Sequence, residues 1–245
     1  MEFQTPEWVE RVTSTNTALL ERLAGGESLP AGSVLAAREQ TAGRGRGQHL
    51  WHSEADRDLS CSLVAPAPSD PLRLPSLALA VALAAAAALR DLGVEARTKW
   101  PNDVLARGGK IAGILPELAP GARPPVVVVG IGLNVNMSRS EAARIEPPAA
   151  SILSETGRTV PVPQVLDLLL QALSPRLADW GAGGFEALRA EWCDCCLGLG
   201  REVSVVDGAS RRRGTLSGFG PAGQLLLTGA DGRTVQVWSG SLVLS

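Results

Sequence analysis

The chain has 245 residues, a formal net charge of −2, 45% hydrophobic residues and 20% charged residues. This composition is typical of a globular protein, and the length allows one large domain or one domain with a small module. A net charge so close to zero gives no reason to expect bulk electrostatic binding of nucleic acid or of a membrane surface.

The sequence indicates a protein of a reducing compartment. The N-terminus carries Glu2 where a signal peptide would be basic, and the apolar run at 77–89 is too short to span a bilayer. We therefore expect a cytoplasmic protein in which this run is a buried helix. The four cysteines and two histidines lack the paired spacing of a closed zinc site, so we expect reduced thiols and no protein-bound metal; the cysteines are Cys61, Cys193, Cys195 and Cys196.

The first predicted helix spans 17–23 and ends at Gly25-Gly26. Ser14, Thr15 and Asn16 stand directly before it. All three residue types favour the N-cap of a helix, although capping needs only one of them. Hydroxyl and amide groups at a helix N-terminus also suit a polar ligand, so both interpretations stay open from the residues alone.

A glycine- and arginine-rich loop follows a predicted strand at 33–37. In residues 43–47, three glycines alternate with Arg44 and Arg46. Glycine lets the backbone approach a ligand closely, and each guanidinium offers donors that match phosphate or carboxylate. The pattern predicts a loop that closes over an anion. The alternatives are an ordinary surface turn and a disordered nucleic-acid-binding tract, although such tracts usually repeat and this motif occurs once.

The middle of the chain alternates strands with an alanine-rich helix. A strand is predicted at 59–64, a helix at 74–92 stopped by Gly93, and a short strand at 94–98 that ends in Lys99. Trp100-Pro101-Asn102-Asp103 has the chemistry of a turn. A lysine fixed at a strand end is a better phosphate ligand than a solvated surface lysine, which is the alternative here.

Two near-continuously apolar strands are predicted at 110–118 and 126–135, joined by a hairpin-like loop at 120–125. Such strands are typical of a sheet covered on both faces. Gly130 and Gly132 interrupt the second strand, which indicates either a close approach by a ligand or another backbone, or a bulge. Residues 137–156 are less regular, and helices are predicted at 162–177 and 185–195.

The tail changes character near residue 198. From Glu202 onward, turn signals recur at short spacing, at 207–208, 221–223 and 231–232. They predict about five short strands in a small SH3-like barrel, with the three arginines at 211–213 on a solvated strand face. The chain thus divides into a domain at 1–197 and a module at 198–245.

Several motifs together resemble the biotin protein ligases, which attach biotin to carboxylases. They are the Gly/Arg loop ending in Trp51, the Lys99 motif above, and the segments at 14–16, 109–117 and 130–136, in the family's order and over essentially the whole chain. The resemblance implies an α+β fold with a mixed central sheet flanked by helices, of the class II synthetase-like type, with a C-terminal SH3-like barrel.

The resemblance also implies the reaction. Biotin would be activated with ATP and Mg²⁺ to biotinyl-5′-AMP, with release of pyrophosphate, and then transferred to a lysine of a biotin carboxyl carrier domain. Fewer than twenty residues precede Ser14, too few for the winged helix-turn-helix domain that some of these ligases carry. We therefore expect a monofunctional enzyme, monomeric or weakly dimeric, that binds neither nucleic acid nor membrane.

The site residues are carried over from the same motifs. Lys99 would contact the reacting carboxylate and α-phosphate, Arg44 and Arg46 would hold the loop over the acyl-adenylate, and Gln40 would bond the ligand from the loop base. Gln48 departs from the family's loop, which usually has glycine there, so the ordered loop is expected to differ. The expected binding residues are Ser14, Thr15, Asn16, Gln40, Gly43, Arg44, Gly45, Arg46, Trp51, Lys99, Asn102, Lys110, Gly113, Gly130, Gly132 and Asn134.

Two other functions fit parts of the sequence. Lipoate ligases and octanoyltransferases share the general fold, but the loop ending in Trp51 and the Lys99 motif favour biotin. An RNA-binding module would use the Gly/Arg loop and the arginines at 211–213. It would require a steep salt dependence of RNA affinity, which the net charge of −2 disfavours.

Overall fold

The structure, a computed structural model, describes residues 1–47 and 49–244. The prediction about Gln48 lies outside the described residues. A seven-stranded sheet forms the larger part, and its strands are β1 Glu7–Val12, β2 Val34–Gln40, β3 Leu59–Pro66, β4 Ala96–Lys99, β5 Asp103–Ala106, β6 Gly109–Leu118 and β7 Val126–Leu133. The helices are α1 Thr15–Ala24, α2 Leu74–Asp91, α3 Arg139–Ala142, α4 Ile152–Thr156, α5 Val162–Gly183 and α6 Arg189–Cys195.

The large sheet is mixed, as predicted. Its strand order is β1-β2-β3-β7-β6-β5-β4, with β1 and β2 parallel and every other neighbouring pair antiparallel. The predicted hairpin between the two apolar strands is confirmed as β6 and β7. Strands β1 and β5 are absent from the sequence prediction, because β1 is a charged edge strand and β5 has only four residues between tight turns.

Side chains alternate between the two faces of the sheet along the central strands, and both faces are covered by other elements. Val127 and Val129 pack in the main core with α2, whereas Val126 and Val128 pack with Leu19 of α1 on the other face. The segment Pro71–Asp91 is long and apolar enough to cross a membrane by length and composition, but 72% of its apolar window is buried inside the fold. It is therefore the core helix that the alanine-rich pattern predicts.

A second, antiparallel sheet follows residue 198. Its strands are β8 Glu202–Asp207, β9 Ser210–Phe219, β10 Leu225–Thr228, β11 Thr234–Val237 and β12 Ser241–Leu244, in the order β11-β10-β9-β8-β12. The five short strands agree with the prediction. Because β11 and β12 are the two edges, with no pairing between them among the described residues, the sheet is open and a closed barrel is not confirmed.

The two sheets share one hydrophobic core. Phe219 of β9 packs edge-on against Trp192 of α6, with ring centroids 5.8 Å apart, and against Phe185 at 6.3 Å. The indole Nε1 of Trp100, in the turn after Lys99, donates a hydrogen bond of 3.1 Å to the carbonyl of Gly223. The C-terminal part of the chain is thus hydrogen-bonded directly to the turn that follows Lys99.

This shared core predicts the effect of truncating Phe219. Phe219→Ala removes a buried ring from the contact between the C-terminal sheet and the helical residues Phe185 and Trp192, and should lower the free energy of unfolding by about 3 kcal/mol, measured by urea denaturation. Trp238→Ala is the control, because Trp238 is 45% exposed and should change stability by about 0.5 kcal/mol or less. Equal stability of Phe219→Ala and the parent protein would contradict a shared core.

Candidate active site

A pocket of about 320 Å³ lies on the α1 face of the large sheet. Fourteen of the sixteen predicted site residues line it, drawn from α1, the Gly/Arg loop, the β4–β5 turn and the two central strands. These are Ser14, Thr15, Asn16, Gln40, Arg44, Gly45, Arg46, Trp51, Lys99, Asn102, Lys110, Gly113, Gly130 and Gly132.

Glycines form the floor of the pocket where β6 and β7 cross it. A Cβ on Gly132 would lie 2.2 Å from Cε2 of Trp51, and a Cβ on Gly130 would lie 2.5 Å from Oδ1 of Asn16. The pairing of β7 with both neighbours continues through these positions without a register shift. The bulge interpretation is therefore wrong, and these glycines permit close approach of side chains to the sheet.

The N-terminus of α1 carries a polar network beside this floor. The N–H and Oγ1 of Thr15 donate to Oε1 of Gln40 at 2.8 and 3.1 Å. The hydroxyl of Ser62 lies 2.7 Å from Oγ1 of Thr15 and 2.6 Å from Oδ1 of Asn16. Ser14 occupies the N-cap position, but its side chain makes no capping hydrogen bond. These hydroxyl and amide groups are thus arranged around the pocket, and simple helix capping does not explain them.

The Gly/Arg loop is folded back on itself over the pocket. Arg44 and Leu50 form an isolated antiparallel bridge, and the N–H of Trp51 donates to the carbonyl of Gly43 at 2.9 Å. Nη2 of Arg44 lies 2.5 Å from Oε2 of Glu117. Nη1 of Arg46 donates to Oδ1 of Asn102 at 3.3 Å and to the carbonyl of Gly240 at 3.1 Å, so the loop also contacts the C-terminal sheet.

The opposite wall of the pocket is basic. Lys99 is the last residue of β4, and its backbone lies opposite that of Asp103 in the tight β4–β5 hairpin. Nζ of Lys110 lies 2.6 Å from Oδ1 of Asp103 and 5.7 Å from the centroid of the Trp51 ring. Among the described residues, Lys110 forms an ion pair and Lys99 forms none. The Lys99 ammonium is therefore available to an anionic ligand in the pocket.

Two predicted site residues lie outside the pocket lining. Nδ2 of Asn134 donates to the carbonyls of Lys110 and Ala150 at 3.2 and 3.0 Å, so this buried amide holds the backbone of β6. A Cβ on Gly43 would lie 2.3 Å from the carbonyl oxygen of Trp51, so glycine is needed there to close the loop. In this structure both residues support the pocket walls without lining it.

The sequence interpretation missed several lining residues and one carboxylate beside them. Ser241 reaches the pocket from the C-terminal sheet, and Glu117 bonds to two lining side chains, Arg44 and Asn16. Burial raises the pKa of the Cys61 thiol to about 12, so this pocket residue is a neutral thiol at neutral pH. The described residues contain no group of three His, Cys, Asp or Glu side chains arranged to hold a metal. The other missed lining residues are His49, Leu50, Asp103, Ile114, Leu115, Ile131 and Pro147.

Comparison with known proteins identifies the family. The model of the biotin/lipoate A/B protein ligase family matches residues 8–134. A biotin–(acetyl-CoA-carboxylase) ligase of Paracoccus denitrificans is 37% identical over 232 residues, which cover 92% of this chain and 95% of the relative. The chain belongs to the biotin protein ligases of this family. A second ligase of that name, from Mycobacterium tuberculosis, is 35% identical over 241 residues, with 96% and 87% covered.

Solved biotin protein ligases have the same fold. The Aquifex aeolicus enzyme in complex with biotin and ATP superposes with a TM-score of 0.82 over 99% of both chains, at 28% identity. The mixed α/β architecture of this chain is thus that of a biotin protein ligase. The biotin ligase names of both sequence relatives favour the biotin interpretation over the lipoate alternative.

The glycine floor predicts a specific steric coupling in this ligase. Gly132→Ala places a methyl group within the Trp51 ring and should lower the free energy of unfolding by about 1–3 kcal/mol, measured by urea denaturation. The same substitution in a Trp51→Ala background should cost much less, because the clashing ring is gone. Gly181→Ala is the control, since a Cβ there meets nothing within 4 Å. Equal costs in both backgrounds would show that Trp51 does not pack on Gly132.

Proposed function

We propose that this chain is an ATP-dependent biotin protein ligase. It activates biotin to biotinyl-5′-AMP with release of pyrophosphate and then transfers biotin to a specific lysine of a biotin carboxyl carrier domain. The observation that carries the proposal is one continuous pocket that joins a glycine-floored slot with polar ends to a wall bearing Lys99 and Lys110. Membership of the biotin protein ligases supports the same reaction.

The slot suits the fused rings of biotin. Gly130 and Gly132 let the side chains of Asn16 and Trp51 lie close against the sheet, and the Trp51 ring then supplies an apolar wall for a flat bicyclic group. The ureido group of biotin needs both donors and acceptors, which the hydroxyl and amide groups of Ser14, Thr15, Asn16 and Gln40 can offer. The polar cluster would therefore orient the ring so that the valerate chain points toward Lys99.

In the first half-reaction, a carboxylate oxygen of biotin attacks the α-phosphorus of ATP. The new P–O bond forms as the bond to the β-phosphate oxygen breaks, and pyrophosphate leaves with that electron pair. Bringing two anions together requires fixed positive charge, because preorganised electrostatics lower the barrier of phosphoryl-group chemistry. The Lys99 ammonium would contact the reacting carboxylate and the α-phosphate, and the Arg46 guanidinium would neutralise phosphate charge from the side of the loop.

Magnesium fits the pocket with few protein ligands. Asp103 is the one carboxylate among the described residues of its lining, and its Oδ1 is paired with Nζ of Lys110 at 2.6 Å. Mg²⁺ commonly takes one or two carboxylates and completes its shell with phosphate oxygens and water. Asp103 would hold the ion, which would supply charge neutralisation for the ATP phosphates when bound.

In the second half-reaction, the neutral ε-amine of a carrier lysine attacks the acyl carbon of the adenylate. The C–O bond to phosphate breaks, AMP leaves, and loss of a proton from nitrogen gives the amide. The mixed anhydride is also open to attack by water and by other amines. The Gly/Arg loop, which is bridged between Arg44 and Leu50, would cover the intermediate until the carrier lysine arrives.

The remaining expectations belong to the same proposal. We propose a class II synthetase-like catalytic domain at 1–197 and an SH3-like module at 198–245, in a cytoplasmic monomer or weak homodimer. Support for the module comes from the purely antiparallel pairing of 202–244. The loop contact at Gly240 and the lining residue Ser241 indicate that the module would take part in the site.

Lys99→Ala tests the proposed chemistry. The parent protein should release pyrophosphate only when both biotin and ATP are present, and Lys99→Ala should lower the rate by about a hundredfold or more, because a charged contact to the transition state is lost. Biotin affinity, measured by calorimetry, should fall much less. Arg123→Ala removes an exposed cation outside the pocket and should behave as the parent does. Pyrophosphate release by Lys99→Ala at the parent rate would exclude this role.

Arg46→Gly tests the covering role of the loop. Adenylate synthesis should survive at a reduced rate because Lys99 is untouched, but the adenylate should escape and label lysines of an added unrelated protein. An added acceptor is needed, since the only two lysines of the chain, Lys99 and Lys110, line the pocket. Labelling is measured by a streptavidin blot normalised to pyrophosphate released. A ratio no higher than that of the parent protein would argue against a loop that retains the intermediate.

A further inference from the structure

We propose that Glu117 is a positioning residue for biotin activation: its carboxylate holds Arg44 and thereby fixes the Gly/Arg loop over the pocket. The proposal rests on the proposed function and deepens it. It also gives the two loop arginines different roles: Arg44 tethers the loop to Glu117, and Arg46 contacts the phosphate of the ligand.

The first observation is the set of contacts around one oxygen. Oε2 of Glu117 accepts a hydrogen bond from Nη2 of Arg44 at 2.5 Å and another from Nδ2 of Asn16 at 2.7 Å. The same Nδ2 group of Asn16 donates to the carbonyl of Leu115 at 3.1 Å. Glu117 therefore joins three separate elements, namely the loop, the N-terminus of α1 and strand β6.

The second observation is the placement of Glu117 in the sheet. On β6, alternation puts Glu117 on the same face as Gly113 and Leu115, which both line the pocket. The side chain of Glu117 is 25% exposed and that of Arg44 is 41% exposed. A rigid central strand thus presents a partly buried carboxylate to a loop that contains three glycines and would otherwise be costly to order.

The third observation concerns charge. A carboxylate beside a site for two anionic substrates would repel them unless a cation neutralised it. Arg44 supplies that cation, so its charge is already matched by Glu117. Among the described residues, in contrast, the side chain of Arg46 donates hydrogen bonds to the neutral oxygens of Asn102 and Gly240 and forms no ion pair, so its charge remains for a phosphate.

The tether acts on the whole loop. Arg44 is bridged to Leu50 across the loop, so fixing Arg44 on Glu117 fixes both of its arms. Because Asn16 donates to the same carboxylate oxygen, Glu117 fixes the position of the loop relative to the polar cluster at the N-terminus of α1. Loss of the tether should therefore weaken substrate capture more than the chemical step.

A double-mutant cycle tests this role. The variants are Glu117→Gln, which can still accept from Asn16, Arg44→Met, and the two combined. Each single change should raise the KM for biotin in pyrophosphate release by about tenfold while kcat stays within about threefold, and the combined variant should be no worse than either single. A combined KM increase of about a hundredfold would mean that Arg44 and Glu117 act independently, which would overturn the proposal.

Limited trypsinolysis gives a readout that does not depend on ligase activity. Cleavage after Arg46, which all these variants retain, should be faster in ligand-free Glu117→Gln and Arg44→Met than in the parent protein. Arg38→Met is the matched control, because it removes an exposed ion pair with Asp56 on the strand that leads into the loop. Cleavage of Glu117→Gln at the parent rate would overturn the tether. Absence of pyrophosphate release from the parent protein would instead refute the proposed function alone.

Discussion

The site depends on three positions of the central sheet that carry no Cβ. Gly113, Gly130 and Gly132 lie on one face of two adjacent strands, and side chains from elsewhere occupy the space that their own would fill. The alternate residues of β7, including Val127 and Val129, are buried in the main core on the opposite face. Because side chains alternate along a strand, the same strand supports the core on one face and lets side chains of the site lie close against the other.

Charge in the pocket is arranged in pairs that leave selected cations free. Glu117 is matched by Arg44, and Asp103 is matched by Lys110. Lys99 and Arg46 form no ion pair among the described residues, so their charges are not cancelled by the protein. Charge pairing thus distinguishes Lys99 and Arg46, whose charge the protein leaves uncancelled, from Lys110 and Arg44, which each face a carboxylate.

Much of the fold and most of the pocket residues can be predicted from local sequence patterns. The amphipathic and alanine-rich helices, the two apolar strands and the turn after Lys99 follow from residues close together in sequence, and the family motifs brought fourteen site residues into one pocket. Features that depend on distant pairing were missed. Glu117 looked like an ordinary strand residue, and nothing local placed Gly240 and Ser241 beside Arg46.

The points at which the structure differs from the sequence prediction or adds to it have the same physical origin. Asn134 belongs to a motif segment, but its amide bonds two backbone carbonyls and holds a strand. The short strands after residue 198 were predicted from turn signals, whereas closure of a barrel depends on pairing between β11 and β12, which the sequence does not encode locally. The charged edge strand β1 was overlooked because its stability comes from pairing with β2 and not from apolar alternation.

A crystal structure of the protein with biotinyl-5′-AMP is the most direct test of this account. The account predicts that the biotin rings lie against the Trp51 side chain beside the polar cluster of α1, and that the phosphate lies within about 3 Å of Lys99 and Arg46. Arg44 should remain on Glu117. A phosphate held by Arg44, or a ligand bound away from the glycine floor, would contradict the account.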